Sequence, residues 1–349
     1  DPSPEATAKP AGSEVTMTMP DSDDRPWILS PSPHVHEGSS IRGLMRDVLI
    51  ALVPAVAVAV FRHGLDAVRL IFVCVSVAVL GEAAARFAMR RTLSIQDLSA
   101  AVTGLLLALN LPPGLPSWMA ALGSLVAVVI AKQVFGGLGF NIFNPALVGR
   151  VVLLISFPVA MTTWAPPDAV TTATPLAAWK TAWAAGAPPP AFADTYPLRD
   201  LFLGLRNGGL GSLGEVSEAA LLLGGLYLLA RRVIGWEIPF LFIGTVALLA
   251  SFFYALDPAR NLPPLTHLAT GGLFLGAFFM ATDYVTSPVT RPGQMLFAIG
   301  CGVITFIIRR FGGYPEGVSF AILIMNGAAP LLDRLTIPRP YGHRRRTSS

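Results

Sequence analysis

Apolar runs, separated by short polar or Pro- and Gly-rich breaks, follow one another along the chain after residue 40. They cover residues 46–62, 67–86, 97–111, 118–135, 142–162, 216–232, 238–255, 266–281, 293–310 and 317–333. Most come close to the ~20 residues that a helix needs to cross a ~30 Å hydrocarbon core. Backbone groups in lipid must find partners inside the protein, and the runs lack the strict alternation of membrane strands. The pattern predicts an all-α polytopic membrane protein with about ten transmembrane helices.

One long connection divides the apolar runs into two sets. It is too polar and too rich in Pro and Gly to span a membrane, and too long for a simple turn. We therefore expect a polar N-terminal segment, a first five-helix repeat, an extramembrane loop, a second five-helix repeat and a basic tail, at residues 1–40, 41–162, 163–215, 216–333 and 334–349. The first segment lacks the cationic and apolar regions of a signal peptide. Because Met17 or Met19 would be a natural start, the residues before them are interpreted as a start-site extension.

Composition narrows the classes of protein and of site. Of the 349 residues, 53% are hydrophobic and 13% are charged, which is too apolar for a soluble protein of this size. The two cysteines, Cys74 and Cys301, are too few to hold an iron–sulfur cluster within this chain. His34-x-His36 has too few potential ligands around it, so no metal-binding residue is predicted. A net charge of +4 without a basic and aromatic stripe fits loops at a lipid membrane and argues against nucleic-acid binding.

The positions of Lys and Arg predict the orientation in the membrane. A cytoplasmic N-terminus puts most cations inside, including Lys132 and the cluster at residues 344–346. By parity the C-terminus is then also cytoplasmic and the long loop is periplasmic. Arg309 and Arg310 fall on the outer side and are exceptions to the rule.

The two halves share a sequence pattern. The segments that begin at Gly104 and Gly276 each hold a span, a Pro-rich break, a span ending in a cation, Gly-Gly, and an Asn near Gly or Pro. An odd number of helices reverses the orientation of the second half, which predicts inverted repeats. Such repeats place binding sites near the membrane midplane, where broken helices meet. Chance similarity between helices rich in Gly, Ala and Leu is the alternative.

Two polar motifs are candidates for binding a small molecule. Asn141-Ile-Phe-Asn144-Pro145 sets two amides three residues apart, on one face of a helix, and Asn326 is the related position in the second half. Amide groups match the edge of a flavin ring, and they also join helices to each other, so both roles stay open. Residues 168–176 read DAVTTATPL, which on composition alone is a Thr- and Pro-rich loop capped by Asp168.

Carboxylates inside or at the ends of spans form a second group of candidates: Asp47, Glu82, Asp97, Asp283, Glu316 and Asp333. Acids in the membrane are costly and usually mark ion or proton paths. Asp47 and Asp97 are expected to cap helix starts, and Asp333 has Arg334 as a possible partner. Asp283 and Glu316, each beside a break, are the preferred ion-path residues and are expected to approach one central region, with Asp333 as a third candidate.

At this point a family resemblance covers nearly the whole chain after residue 30. The segments SPSPHVHEGSSIRGLMRDVLIALVPAVAVAVFRHG, NIFNPALVGR, TTATPL, FFMATDYVTSP and GGYPEGVSFAILIMNGAAPLLDR resemble the RnfD subunits of the Rnf ion-translocating oxidoreductases. The related NqrB subunits of the Na⁺-translocating NADH:quinone reductases share several of these segments but lack SPHVH. The loop departs from the commoner pattern by having Thr172 where Gly is frequent.

The resemblance implies cofactors and partners. It implies FMN bound through a phosphoester to Thr174, the last Thr of the loop motif, and a riboflavin near Asn141 and Asn144. It also implies that electrons pass between these flavins and the iron–sulfur and FMN centres of the other Rnf subunits (A, B, C, E and G), linking ferredoxin and NAD⁺ to Na⁺ or H⁺ movement across the bacterial inner membrane. The chain has no dinucleotide fingerprint of its own, so it is not catalytically complete alone and no catalytic residue is predicted.

Three alternatives remain. One is a membrane component of the quinone-reductase type. The second is a non-redox channel or transporter, because the RnfD subunits are thought to resemble urea-transporter-like channels in fold. The third is a scaffold protein of the complex without flavin. Detection of a covalently bound flavin would favour a redox function over a channel, a transporter or a scaffold.

Overall fold

The computed structural model describes residues 40–92, 95–163, 174–185, 197–204, 211–258, 260–314 and 316–337. Within these ranges the chain is helical and forms no β-strand. The polar segment before Ser40, most of the long loop and the end of the basic tail lie outside the described residues. His34, His36, Thr172 and Arg206 are therefore not placed.

The first half contains six helices in the described residues. They are α1 (Ile41–His63), α2 (Leu65–Ala88), α3 (Ser99–Leu109), α4 (Ser117–Leu125), α5 (Pro145–Ser156) and α6 (Pro158–Thr162). A 3₁₀ turn, Ile95–Asp97, precedes α3, and a π-helical segment, Val126–Gln133, continues α4. The predicted run 142–162 is thus two helices, since the chain breaks helical geometry at Phe157 before Pro158.

The loop and the second half contain the remaining described helices. They are α7 (Pro175–Ala184), α8 (Leu198–Leu203), α9 (Glu218–Ala230), α10 (Glu237–Leu256), α11 (Pro264–Leu268), α12 (Leu273–Leu275), α13 (Arg291–Phe311) and α14 (Val318–Leu335). A 3₁₀ turn, Leu213–Glu215, precedes α9, and a π-helical segment, Gly276–Met280, continues α12. The predicted run 266–281 is interrupted between α11 and α12, where Gly271 and Gly272 have φ of 72° and 63°. Such left-handed backbone is cheap for glycine and ends a helix.

Five of the described helices are long and apolar enough to cross a membrane: α1, α2, α10, α13 and α14. Four shorter apolar helices lie at Ser99–Leu109, Ser117–Gln133, Pro145–Ser156 and Glu218–Ala230. The chain is therefore a helical membrane protein, as the hydrophobic pattern predicts. The number of crossings, the inverted repeat and the sidedness of the loop stay predictions.

Polar residues at the breaks start the helices. Ser40 accepts a hydrogen bond from Gly43 N–H at 3.1 Å at the start of α1, and Thr290 accepts from Gly293 N–H at 3.2 Å at the start of α13. Both use a side-chain oxygen to satisfy an amide that has no partner inside the helix. The predicted cap Asp97 accepts from Ser99 N–H at 2.8 Å. The prediction for Asp47 was wrong: it lies inside α1 and pairs with Arg231 at 3.2 Å.

Glycines allow the helices to touch backbone to backbone. A Cβ atom on Gly104 of α3 would lie 2.7 Å from the Cys74 carbonyl oxygen of α2. A Cβ atom on Gly224 of α9 would lie 2.0 Å from the Ala51 carbonyl oxygen of α1. Small residues at such crossings are the usual means of close packing in membranes, where dispersion replaces the hydrophobic driving force. The contact between α1 and α9 joins the two halves.

Candidate functional site

A cavity lies between the two halves of the chain. Its empty volume, including the space on its open side, is about 750 Å³. The first half contributes Ser99, Lys132, Asn141 and Asn144 to its wall, and the second half contributes aromatic and polar groups that include Phe278, Phe279, Thr282, Asp283 and Tyr284. The structure thus brings both candidate asparagines and one candidate ion-path carboxylate to a single cavity.

The asparagines lie before a helix rather than on one. Asn144 has extended backbone and caps α5, with Pro145 in the first helical position. The expected shared helical face was therefore wrong, because proline disfavours helical backbone in the residue before it and is preferred at the first position of a helix. The two side chains still line the same cavity.

The two amides have different amounts of free hydrogen-bonding capacity. The Asn144 oxygen accepts from Ala146 N–H at 3.1 Å, and its nitrogen donates to the Met280 carbonyl at 3.2 Å. Asn144 is therefore engaged both as a cap and as a link between the halves. The Asn141 nitrogen donates to the Phe143 carbonyl at 3.3 Å, but its oxygen is buried without a partner among the described residues. A buried acceptor of this kind is costly unless a ligand or water donates to it.

Asn326, the related position in the second half, meets Asn144 directly. With its amide oriented to suit its neighbours, its oxygen accepts from Asn144 N–H at 3.1 Å, and its nitrogen reaches the carbonyls of Thr286 and Ile322, each at 3.2 Å. This orientation pairs every donor with an acceptor. The two asparagines that the repeat pattern relates are thus neighbours at the junction of the halves.

A buried charge network forms one wall of the cavity. Lys132, in the π-helical segment, pairs with Glu82 of α2 at 2.9 Å and donates to Ser99 Oγ at 2.6 Å. Gln133 donates to the other Glu82 oxygen at 2.8 Å. The Lys132 and Glu82 side chains are each 1% exposed, so this ion pair is buried, and the side of the membrane on which Lys132 lies stays a prediction. A π-helical turn often marks a functional position in a helix, since it offsets the side chains by one residue.

Asp283 lies on the same cavity and is held by local contacts. Its carboxylate accepts from Thr286 Oγ at 3.2 Å and from Val285 N–H at 3.4 Å. The charge of Lys132 acts on it across the cavity. The cavity therefore has the Lys132 ammonium on the wall of the first half and the Asp283 carboxyl group on the wall of the second.

The other two candidate ion-path residues lie elsewhere. Glu316 pairs with Arg150 of α5, which also donates to Ser319. Asp333 accepts from Val289 N–H at 2.9 Å and Thr290 N–H at 3.2 Å, so it holds the start of α13. The charges that act on Asp283 and on Glu316 come from different groups, and the three carboxylates do not form one cluster.

Thr174 starts the helix of the long loop. Its Oγ accepts from Ala177 N–H at 3.2 Å, and its carbonyl accepts from Ala178 N–H at 2.8 Å, which places it at the N-terminus of α7. The residue is 4% exposed. The amides and the dipole at a helix N-terminus favour a phosphate group. Among the described residues the hydroxyl accepts this bond and donates none, so esterification would remove no hydrogen bond that it donates.

Helix α7 is docked on the second half. Trp179 is 1% exposed and donates from its ring nitrogen to the Arg260 carbonyl at 3.1 Å. The Lys180 ammonium donates to the Ile308 and Gly312 carbonyls, at 3.0 and 2.6 Å, and to Tyr314, at the C-terminal end of α13. Burial, together with the nearby Arg309 charge, lowers the pKa of Lys180 to about 8. Lys180 therefore tethers α7 to the C-terminal end of α13.

A second buried charge cluster, around Arg309, was not predicted from the sequence. Arg309 is fully buried and donates to the carbonyls of His267, Thr270 and Gly271 at 2.6 to 3.1 Å. The orientation rule concerns cations in solvated loops, so a buried Arg309 does not count for or against the predicted orientation. The charges of Glu215, Glu218 and Glu316 act on it. Charged residues at the ends of apolar runs were the available signal for this cluster.

Comparisons with known proteins cover nearly the whole chain. A family model described as "NQR2, RnfD, RnfE family" matches residues 28–342. The D subunit of the Na(+)-translocating ferredoxin:NAD(+) oxidoreductase complex of Acetobacterium woodii is 48% identical over 317 residues, which cover 90% of this chain and 95% of that protein. The D subunit of the proton-translocating ferredoxin:NAD(+) oxidoreductase complex of Clostridium ljungdahlii is 45% identical, with 91% of this chain and 97% of that protein covered. The D subunit of the ion-translocating oxidoreductase complex of Halorhodospira halophila is 42% identical, with 91% and 96% covered.

Proposed function

Since the chain belongs to the NQR2, RnfD, RnfE family, we propose that it is the flavin-carrying RnfD membrane protein of an Rnf-type ion-translocating oxidoreductase. In this role it passes electrons between ferredoxin and NAD⁺ centres held by partner subunits (A, B, C, E and G), which include iron–sulfur and FMN subunits. The transfer is coupled to Na⁺ or H⁺ movement across the inner membrane. The high identity to members of such complexes over almost their full length supports the assignment.

The observation that carries the flavin proposal is the place of Thr174. It is the last Thr of the TTATPL motif and the N-terminal cap of a helix docked on the membrane domain. The Thr174 oxygen would form the phosphoester with FMN, with net loss of one water. The helix N-terminus would face the phosphate, and the flavin would supply redox chemistry that no side chain of the chain offers.

The experiment is intact-mass measurement and peptide mapping of the purified protein. We expect an added mass equal to FMN less water, located on Thr174. Thr174→Ala removes both the ester and the helix cap, so Thr174→Asn is the sharper variant: Asn caps helices well but cannot be esterified. Thr174→Asn should lose the flavin and keep the fold. Thr181→Ala, on the same helix, should keep both, as should Thr171→Ala and Thr172→Ala. Flavin mapped to another residue would refute the assignment.

We also propose that the cavity between the halves holds riboflavin. The buried, unpartnered Asn141 oxygen supports this, because the flavin ring carries an N–H donor on its polar edge. Asn141→Leu should therefore lose extractable riboflavin and retain the flavin on Thr174. If Asn141→Leu retains riboflavin at full occupancy, then Asn141 does not contribute to riboflavin binding.

Among the carboxylates, Asp283 is the one we propose for the ion path. It faces the cavity shared by both halves, whereas Asp333 holds backbone amides. In proteoliposomes containing the whole complex, Asp283→Asn should slow ion uptake more than electron transfer. Asp333→Asn serves as the comparison and should mainly lower stability. Equal loss of uptake and electron transfer in Asp283→Asn would count against coupling. Glu316 stays a weaker candidate, since Arg150 already neutralises it.

A further inference from the structure

Glu218, at the first position of α9, carries a carboxyl group with no hydrogen-bond partner in the part of the chain that the structure describes. The residue is 0% exposed, and neither of its two oxygens has a hydrogen-bond partner among the described residues. Ser217, just before it, caps the helix by accepting from Ala220 N–H at 3.3 Å. An ionised carboxylate deprived of water and of hydrogen bonds is among the most costly groups to bury.

The cations nearby make no hydrogen bond to Glu218: most of their N–H groups have other partners, while Nε of Arg150 and of Arg309 has none among the described residues. The charges that act on Glu218 are those of Glu215 and Arg309. Arg309 gives its terminal N–H groups to three backbone carbonyls. Arg150 pairs with Glu316, and Glu215 accepts from Ser212 Oγ at 2.8 Å. Glu218 is thus left without a direct donor among the described residues.

A charge count gives the same result. We define the buried cluster as three carboxylates and two guanidiniums: Glu215, Glu218, Glu316, Arg150 and Arg309. If all five were ionised, three negative charges would meet two positive charges and leave one negative charge uncompensated. Two of the helices packed on α9 carry charged or titratable groups, while α12 and its π-helical extension carry none; these groups are Arg42, Arg46, Asp47 (paired with Arg231), Arg62 and His63 on α1, and Arg199 and Asp200 on α8. Lys180 contacts carbonyls of α13 and lies beside Arg309 rather than Glu218.

The missing positive charge is either a proton or a metal cation. A metal cation needs several oxygen ligands at short distance. The described residues contain no group of three or more His, Cys, Asp or Glu side chains placed to hold a metal ion. We propose that Glu218 is a proton-binding site: a neutral carboxylic acid in the resting protein, which completes the charge balance of the buried cluster. Glu218 is not among the residues that line the cavity containing Asp283.

The position of Glu218 in its helix, taken alone, favours the ionised carboxylate. Glu218 lies in the first turn of α9, where the positive end of the helix dipole stabilises an anion. The loss of solvation on full burial of an ion exceeds this dipole effect several-fold. The free energy of burial therefore favours the protonated form of Glu218.

Infrared difference spectroscopy tests the proposal directly. The sample is the purified complex at neutral pH, as wild type and as Glu218→Gln. If Glu218 is neutral, the variant should lack one carboxylic-acid C=O band, with no loss of carboxylate bands. Glu237→Gln is the matched control: Glu237 is 4% exposed but has Arg291 at 3.6 Å, so its substitution should remove carboxylate bands instead.

Several outcomes would overturn the proposal. Loss of carboxylate bands in Glu218→Gln would mean an ionised group, and a Glu218 band that responds to Na⁺ at constant pH would mean a metal-cation site. Gln closely matches a protonated Glu in shape and charge, so Glu218→Gln should assemble normally; failure to assemble would also count against a neutral acid. Glu316→Gln, which leaves Arg150 without its anion, should assemble poorly. All of these readouts are independent of flavin content, so they can fail while the flavin proposals hold.

Discussion

The Lys132–Glu82 pair allows a quantitative test of the charge network at the cavity. Both side chains are 1% exposed and their N–O distance is 2.9 Å, so neither charge can recover solvation if its partner is removed. Removing one member of a buried pair typically costs ~3–5 kcal/mol, whereas replacing both by neutral groups of similar volume is often neutral. We expect Glu82→Gln and Lys132→Met each to destabilise the protein by about 3–5 kcal/mol. The double variant should recover most of that loss.

The assay is thermal unfolding of the purified protein in detergent at one fixed heating rate, because membrane proteins often unfold irreversibly. Asp66→Asn provides the control. Asp66 pairs with Arg69 at 3.2 Å, but these side chains are 60% and 42% exposed, so the loss should stay below about 1 kcal/mol. If the double variant loses the sum of the two single losses, the pair does not compensate two buried charges and the reasoning is refuted.

Three further predictions follow from the contacts of single side chains. Asn144→Ala and Asn144→Ser both lose the hydrogen bond to the Met280 carbonyl, but Ser keeps a capping oxygen for α5, so Asn144→Ala should be less stable than Asn144→Ser by about 1 kcal/mol; equal melting temperatures of the two variants would contradict the assignment. Lys180→Met should speed hydrogen exchange in residues 175–184 without affecting α1, because the ammonium tethers α7 to three carbonyls of the second half; unchanged exchange would mean that Trp179 suffices. The pKa of Lys180 is lowered to about 8, so the fraction of its neutral, reactive form should increase as the pH rises through that value. Acylation mapped to Lys180 should therefore reach half its maximum near pH 8, which is a lower pH than for an ordinary lysine.

Hydrophobic pattern predicted most of the helices because lipid-facing helices must be apolar along their length, and each predicted run coincides with described helix. It missed the breaks at Phe157 and at Gly271 and Gly272, because hydrophobicity is continuous across them, although Pro158 and the Gly-Gly pair were local signs of a break. It also could not find the π-helical segment of Val126–Gln133, whose composition is that of an ordinary helix.

A site residue could be predicted from the sequence where its side-chain chemistry allows few roles. It could not be predicted where its role depends on whether the folded chain buries it. Asn141 and Asn144 were singled out because amides in apolar surroundings need partners, and they do line one cavity. Asn144 proved to be a helix cap, which Pro145 already indicated. The partners of Lys132 and Arg309 come from residues tens of positions away, so their burial follows from packing rather than from local sequence.

The glycine contacts described above restrict how this chain can be made more robust. Replacing helical glycine by alanine usually stabilises a protein by about 0.4–1 kcal/mol, since the unfolded chain loses freedom. Alanine does not fit at Gly104 or Gly224, because the added methyl group would collide with a carbonyl oxygen of the neighbouring helix. Gly244, inside α10, has no atom within 4 Å of the same added group. An effort to obtain a longer-lived preparation should therefore begin at Gly244 and leave the helix crossings unchanged.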